Sequence, residues 1–376
     1  MRIACIATSQ IPSTTANSIQ VMKVCQALAL AAPDADVHLW VPGKNETPWE
    51  QLAGQYGVQA PFTIHWVPSQ RAFRRYDLIW SAYRAARRWG ADLFYTWLPQ
   101  VALLALRDGC PAVLEVHDRP TGRIGPILFG QYFRQPGRKR TLVISHALRR
   151  ALEERYRMRF PEAEIQIAPN GVDMDRYRDL PSPSEARAQL GLEERLTAVY
   201  SGHLYAGRGM SLLLGLAEAF PQVNFLWAGG QPDAVERWRG EARSRGLDNV
   251  RLTGFIENAR LPLYQAAGEI LLMPYERSIA GSSGGNSADI CSPMKMFEYM
   301  AAGRAILSSD LPVIREVLNE DNAVLAPPED LQAWVTALGG LLEDAERRKR
   351  LGEMARADVL EYTWDNRARK ALAPFI

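Results

Sequence analysis

Ser292-Pro293-Met294-Lys295-Met296-Phe297-Glu298-Tyr299-Met300-Ala301-Ala302-Gly303-Arg304-Ala305-Ile306-Leu307-Ser308-Ser309-Asp310 reads as a loop, a short helix, a glycine stop and a buried strand. Ser292 suits an N-cap, Pro293 the first helical position and Gly303 the stop after the last turn. Lys295 then falls in the first turn, where the helix dipole disfavours a cation. A cation there makes sense if an anion such as a phosphate lands at the helix N-terminus. Glu298 lies three residues on, roughly one turn along the same face, where it can bind a neutral polyol such as a ribose. The residues alone leave a second reading open, a surface Lys–Glu pair on an ordinary helix.

The same style continues in both directions along the chain. Apolar runs predict strands at residues 3–7, 37–41, 62–67, 93–96, 112–116, 142–145 and 165–168, then at 197–201, 224–228, 250–253, 270–274, 305–308 and 323–325. Amphipathic stretches fall between them, notably 18–31 and 99–107, the pattern of parallel sheets wrapped by helices. Pro169-Asn170-Gly171-Val172-Asp173 and Pro181-Ser182-Pro183 mark a turn and a linker. The chain therefore divides into two successive α/β units, 1–170 and 171 onward. Residues 278–289 are small, polar and glycine-rich, and their place after a strand suits a mobile ligand-covering loop.

Composition bounds the function. A chain of 376 residues with 47% hydrophobic and 23% charged residues is an ordinary globular protein of two or three domains. Residues 27–32 and 101–106 are the longest apolar runs, too short for a membrane span, and residues 1–8 look like a buried strand, not a signal peptide. Cys5, Cys25, Cys110 and Cys291 are scattered, as reduced thiols of a cytosolic protein would be. The five histidines lack metal-ligand spacing, so no metal site is expected. Residues 1–170 hold 21 Lys and Arg against 13 Asp and Glu, concentrated in 71–88 (Arg71, Arg74, Arg75, Arg84, Arg87, Arg88) and 134–159. That half suits an anionic membrane surface, a phosphorylated acceptor or simply a solvated face. Nucleic acid is not expected, because no binding motif accompanies the charge.

Gly202-His203-Leu204-Tyr205-Ala206-Gly207-Arg208-Gly209 follows a strand and opens a helix. Its resemblance to a P-loop fails where Lys-Ser/Thr is required. With the 292–310 stretch, it resembles the donor site of family 4 glycosyltransferases, retaining, metal-independent enzymes of the GT-B fold. The resemblance implies two Rossmann-like α/β domains facing across a deep cleft. The first, 1–170, would bind the acceptor and the second, 171–355, the nucleotide-sugar, with 356–376 crossing back to the first.

Carried over by position, the resemblance gives Glu298 the ribose hydroxyls and Arg208 the diphosphate. His203 stands where the family has an arginine. Gly207, Gly209, Ser292, Met294 and Lys295 would surround the phosphates at the helix N-termini, and Phe255 and Ile256 would line the base. His117, at the strand end Leu114-Glu115-Val116-His117-Asp118, would touch the donor sugar beside the reacting carbon, oriented by Glu115 or Asp118. Asn17 or Ser18 would cap the helix after the first loop; that loop would line the cleft, and Asn17 would there contact the acceptor or the diphosphate.

The family's first glutamate falls on Ile290, leaving Glu276 or Asp289 to replace it. The implied activity is hexosyl transfer from a UDP- or GDP-sugar, with no other cofactor, to a glycan, lipid-linked or small-molecule acceptor, in the cytoplasm, with the basic half offering peripheral contact with the inner membrane face. A sugar-nucleotide epimerase and a non-catalytic sugar-nucleotide-binding protein are the rivals.

Overall fold

Strands buried on both faces carry continuous apolar runs, which is how parallel sheets covered by helices read in sequence. The computed structural model, describing residues 1–44, 46–70, 76–279 and 286–376, folds these runs into two parallel sheets. The first contains β1 (Arg2–Ile6), β2 (Asp36–Pro42), β3 (Thr63–Val67), β4 (Leu93–Thr96), β5 (Ala112–Val116), β6 (Lys139–Val143) and β7 (Ile165–Ile167), in the order β3-β2-β1-β4-β5-β6-β7. The second contains β8 (Thr197–Ser201), β9 (Asn224–Ala228), β10 (Val250–Gly254), β11 (Ile270–Met273), β12 (Ala305–Ser309) and β13 (Val324–Ala326), in the order β10-β9-β8-β11-β12-β13. Strand order reverses between β1 and β4 and between β8 and β11. In such sheets the crevice beyond the carboxyl ends at the reversal is where ligands bind.

Two compact units result, one of Met1–Asn170 with Trp364–Ile376 and the other of Gly171–Thr363. Residues 356–363, expected on the returning segment, belong to the second unit. Arg356 holds them there, donating from Nη1 to Ala301 O at 2.5 Å and from Nη2 to Tyr177 O at 2.7 Å. The core of the second unit packs Tyr200, Phe225, Trp227, Leu272 and Trp334 around its sheet.

The helix of the opening stretch spans Met294–Ala302 and stops at left-handed Gly303. Its N-cap is Pro293, not Ser292, and no side chain caps it. Proline's missing N–H costs nothing in an extended cap, and the first N–H groups of the helix are left to other partners. In the first unit the Ala16–Ala31 helix is capped by Thr15, whose side chain accepts from Ser18 N. Neither Asn17 nor Ser18 is the cap; Asn17 lies exposed in the first turn. Of the basic residues, Arg71, Arg74 and Arg75 lie outside the described residues, as does 280–285 of the expected covering loop. The Tyr76–Trp89 helix buries Leu78, Ile79, Ala82, Tyr83 and Ala86 and exposes Tyr76, Trp80, Arg84, Arg87 and Arg88.

Candidate functional site

At the reversal point of the second sheet, β8 runs into the Gly202–Gly209 turn and β11 into Pro274-Tyr275-Glu276. Gly209 is the N-cap of the Met210–Ala219 helix, with φ of 69°. Glu276 ties the turn to the strand end: its N–H donates to Gly207 O, and its Oε1 accepts from Gly209 N, both at 3.2 Å. Arg208 projects from this turn over the rings of Tyr275 at 4.7 Å and Tyr205 at 4.9 Å, and donates to the Tyr205 hydroxyl at 2.9 Å.

Lys295 enters the same cluster from the first turn of the Met294–Ala302 helix. Its Nζ lies 3.8 Å from the Tyr200 ring centroid and 5.5 Å from that of Tyr275. A Cβ added to Gly202 would stand only 2.9 Å from that Nζ. Among the described residues Lys295 makes no hydrogen bond and no salt bridge, so the surface Lys–Glu pair is not what forms. Burial, then the Arg208 charge, push its ammonium well below the ordinary lysine value, against the pull of Glu298. Two cations thus share a tyrosine cage in which aromatic faces, not carboxylates, offset their charge. An arriving polyanion would find uncompensated positive charge beside two helix N-termini.

Glu298 sits one turn along from Lys295 and is held from behind. Gln265, fully buried, donates from Nε2 to Glu298 Oε2 at 3.3 Å and to Ser201 Oγ at 3.2 Å, and accepts from the Tyr177 hydroxyl at 2.9 Å. Phe255 and Ile256 follow β10 at the same carboxyl edge of the sheet, Phe255 exposed. His203 stacks on Tyr205 with ring centroids 5.3 Å apart, and its carbonyl accepts from the Tyr200 hydroxyl at 2.5 Å. Ile290 is fully buried, Asp289 exposed and Glu276 engaged with the glycine turn.

In the first unit, His117 follows β5 and meets Glu115 through Nε2 at 2.7 Å. Asp118 instead accepts from Arg119 N. Glu115 is fully buried, and also accepts from Arg367 (2.7 and 2.9 Å), Gln20 (2.8 Å), Trp97 (3.1 Å) and the Tyr95 hydroxyl. Burial alone would raise its carboxyl; the Arg367 charge and the hydrogen bonds from His117 and Arg367 prevail and hold it well below the usual carboxylate range.

Sequence motifs named Arg208, Lys295, Glu298 and His117 as candidates; Tyr200, Tyr275, Gln265 and Arg367, which the structure packs against them, belong to no motif. Only the tyrosines had a signal, as polar-tipped aromatics at or just beyond the ends of otherwise aliphatic strands.

Similarity to known proteins follows the same division. The family described as "Glycosyltransferase Family 4" matches residues 24–176, and "Glycosyl transferases group 1" matches residues 195–344. Phosphatidyl-myo-inositol mannosyltransferase of Mycolicibacterium smegmatis is 28% identical over 76% of this chain and 72% of its own. Alpha-D-kanosaminyltransferase of Streptomyces kanamyceticus is 23% identical over 81% and 79%. Among solved structures, Anabaena HepE in complex with UDP-glucose superposes with a TM-score of 0.73 at 18% identity, covering 99% of both chains. A glycosyltransferase of Rickettsia africae gives 0.75 at 12% identity, covering 99% of this chain and 97% of that one.

Proposed function

The chain belongs to the family 4 glycosyltransferases and has their two-domain α/β GT-B fold, and we propose that it transfers a hexose, with retention, from a UDP- or GDP-sugar to a glycan, lipid-linked or small-molecule acceptor. The observation that carries this reading is the tyrosine cage holding Arg208 and Lys295, neither of which is in a salt bridge among the described residues. Such a site is built for an anion that arrives with the substrate. The UDP-glucose in the HepE structure and the mannosyltransferase relatives support a nucleotide-sugar donor.

Arg208, Lys295 and the N-termini of the Met210–Ala219 and Met294–Ala302 helices would take the diphosphate, the work a divalent metal performs elsewhere. Glu298, braced by Gln265, would accept from the ribose hydroxyls, and the turn at Phe255 and Ile256 would face the base. The acceptor hydroxyl attacks the anomeric carbon on the face from which the diphosphate leaves. The bond from that carbon to the phosphate oxygen breaks, and the acceptor's proton passes to the departing oxygen. His117 would hydrogen-bond a sugar hydroxyl.

No described helix is long and apolar enough to cross a membrane. The exposed Trp80, Arg84 and Arg88 on the Tyr76–Trp89 helix support peripheral contact with an anionic, cytoplasmic membrane face, which a lipid-linked acceptor would require.

Calorimetric titration with UDP, GDP and ADP tests the donor site. One nucleotide should bind in the micromolar range. Glu298→Ala should weaken it roughly 10- to 100-fold, as expected for losing a hydrogen bond to a charged group. Binding of none would overturn the assignment, and the anomer of the product, read by NMR, decides retention.

A further inference from the structure

We infer that Arg367 is a positioning residue: by holding Glu115 ionised and in place, it fixes the proton of His117 on Nε2 and leaves Nδ1 as a hydrogen-bond acceptor. This rests on the proposed sugar contact of His117 for its purpose, but not for its geometry.

Glu115 has no hydrogen-bonding capacity to spare. Its Oε2 accepts from Arg367 Nη2 at 2.9 Å, His117 Nε2 at 2.7 Å, Gln20 Nε2 at 2.8 Å and Trp97 Nε1 at 3.1 Å. Its Oε1 accepts from Arg367 Nη1 at 2.7 Å and from the Tyr95 hydroxyl. An ionised carboxylate only accepts, so the hydrogen of this bond belongs to His117 Nε2. Nδ1 is then left with a lone pair and, among the described residues, with no partner. The ring itself is 29% exposed, so that lone pair is available to a ligand hydroxyl.

A bidentate guanidinium, itself buried, faces the carboxylate from the other side and keeps it an acceptor only.

Arg367 is itself locked in place. It lies on the Trp364–Leu372 helix and also donates from Nε to Pro169 O at 3.0 Å and Ala168 O at 3.3 Å. The returning segment of the chain therefore does more than fill a groove: it sets which nitrogen of His117 carries the proton.

Long-range proton–nitrogen NMR of His117 in the full chain, without ligand, reads this directly. The wild-type ring should be the Nε2–H tautomer at pH 7. Arg367→Lys should preserve it, and Arg367→Gln should shift the ring toward the Nδ1–H tautomer, because a buried Glu115 left without its cation takes up a proton and donates it to Nε2. A wild-type ring that carries its proton on Nδ1 would overturn the inference, and so would an unchanged tautomer in Arg367→Gln. Should that variant fail to fold, the wild-type tautomer still decides. If His117→Ala turns over normally while the wild-type tautomer is as expected, the sugar contact is wrong and the positioning by Arg367 stands.

Discussion

Replacing Gly209 by alanine should cost the second unit far more than the same change at Gly246, although both glycines have φ of +69°. A left-handed backbone costs an L-residue about 1–2 kcal/mol. Alanine also has fewer unfolded conformations to lose, which returns roughly 0.4–1 kcal/mol. Nothing lies within 4 Å of a Cβ on Gly246, so that change should net about 1 kcal/mol. A Cβ on Gly209 would stand 2.1 Å from the Pro274 carbonyl oxygen and 2.7 Å from Pro274 Cβ. The obstacle is backbone and proline ring at the end of β11, which cannot rotate away, and overpacking of that kind adds about 1–3 kcal/mol.

A difference of about 2 kcal/mol corresponds to roughly 4–8 °C in the melting midpoint of a unit this size. Differential scanning calorimetry of the two variants, followed through the transition of the second unit, measures it. Because Gly209 N–H bonds Glu276 and precedes the helix that Arg208 abuts, Gly209→Ala should also abolish nucleoside diphosphate binding while Gly246→Ala keeps it. Equal melting points, or intact binding in Gly209→Ala, would refute the close-packed turn.

Three further outcomes are expected. Lys295 is depressed in the folded state, so below the ordinary lysine value unfolding takes up a proton and the residue costs stability; Lys295→Met should raise the midpoint of the second unit. The same change should weaken UDP or GDP binding, read by calorimetric titration. In the first unit, His38 donates to Asp36 (3.1 Å) and accepts from His65 (3.0 Å); Trp89 stacks on His38 and Trp40 on His65. Burial lowers both histidines, with His38 adding to the effect on His65. Their contribution is complete above the ordinary value near pH 6.5 and is lost as pH falls below it. Acid melts of His38→Phe should therefore flatten relative to wild type. Arg84→Gln with Arg88→Gln should weaken binding to anionic liposomes by about 2 kcal/mol, or roughly 30-fold; Arg84 also covers the exposed Trp80 at 4.6 Å. Unchanged vesicle binding would remove the membrane contact.

Periodicity and punctuation made the fold legible. All thirteen strands were marked by short apolar runs, most cleanly the buried central ones; polar residues interrupt the less buried β3 and β10, and β6 begins at Lys139, three residues before its run at 142–145. Asn170-Gly171 marked where one unit ends. Helix starts were less legible. Thr15 and Pro293 took the cap positions from Asn17 and Ser292, since backbone geometry, not side-chain capping capacity alone, sets where a helix begins. The return point moved to Trp364 because Arg356 finds its carbonyl partners in the second unit.

Sequence by itself determined the two α/β units, the glycine turn with Arg208, and the placing of Lys295 and Glu298 one turn apart on a helix. These depend on local spacing, and local spacing is written in the chain. Tertiary structure alone decided that Lys295 would have tyrosine faces for company instead of a carboxylate. It also decided that Gln265 would brace Glu298 across 33 residues, and that Arg367 would reach Glu115 across 252. Charge compensation depends on distance and burial, and strand order sets both only once the sheets have formed.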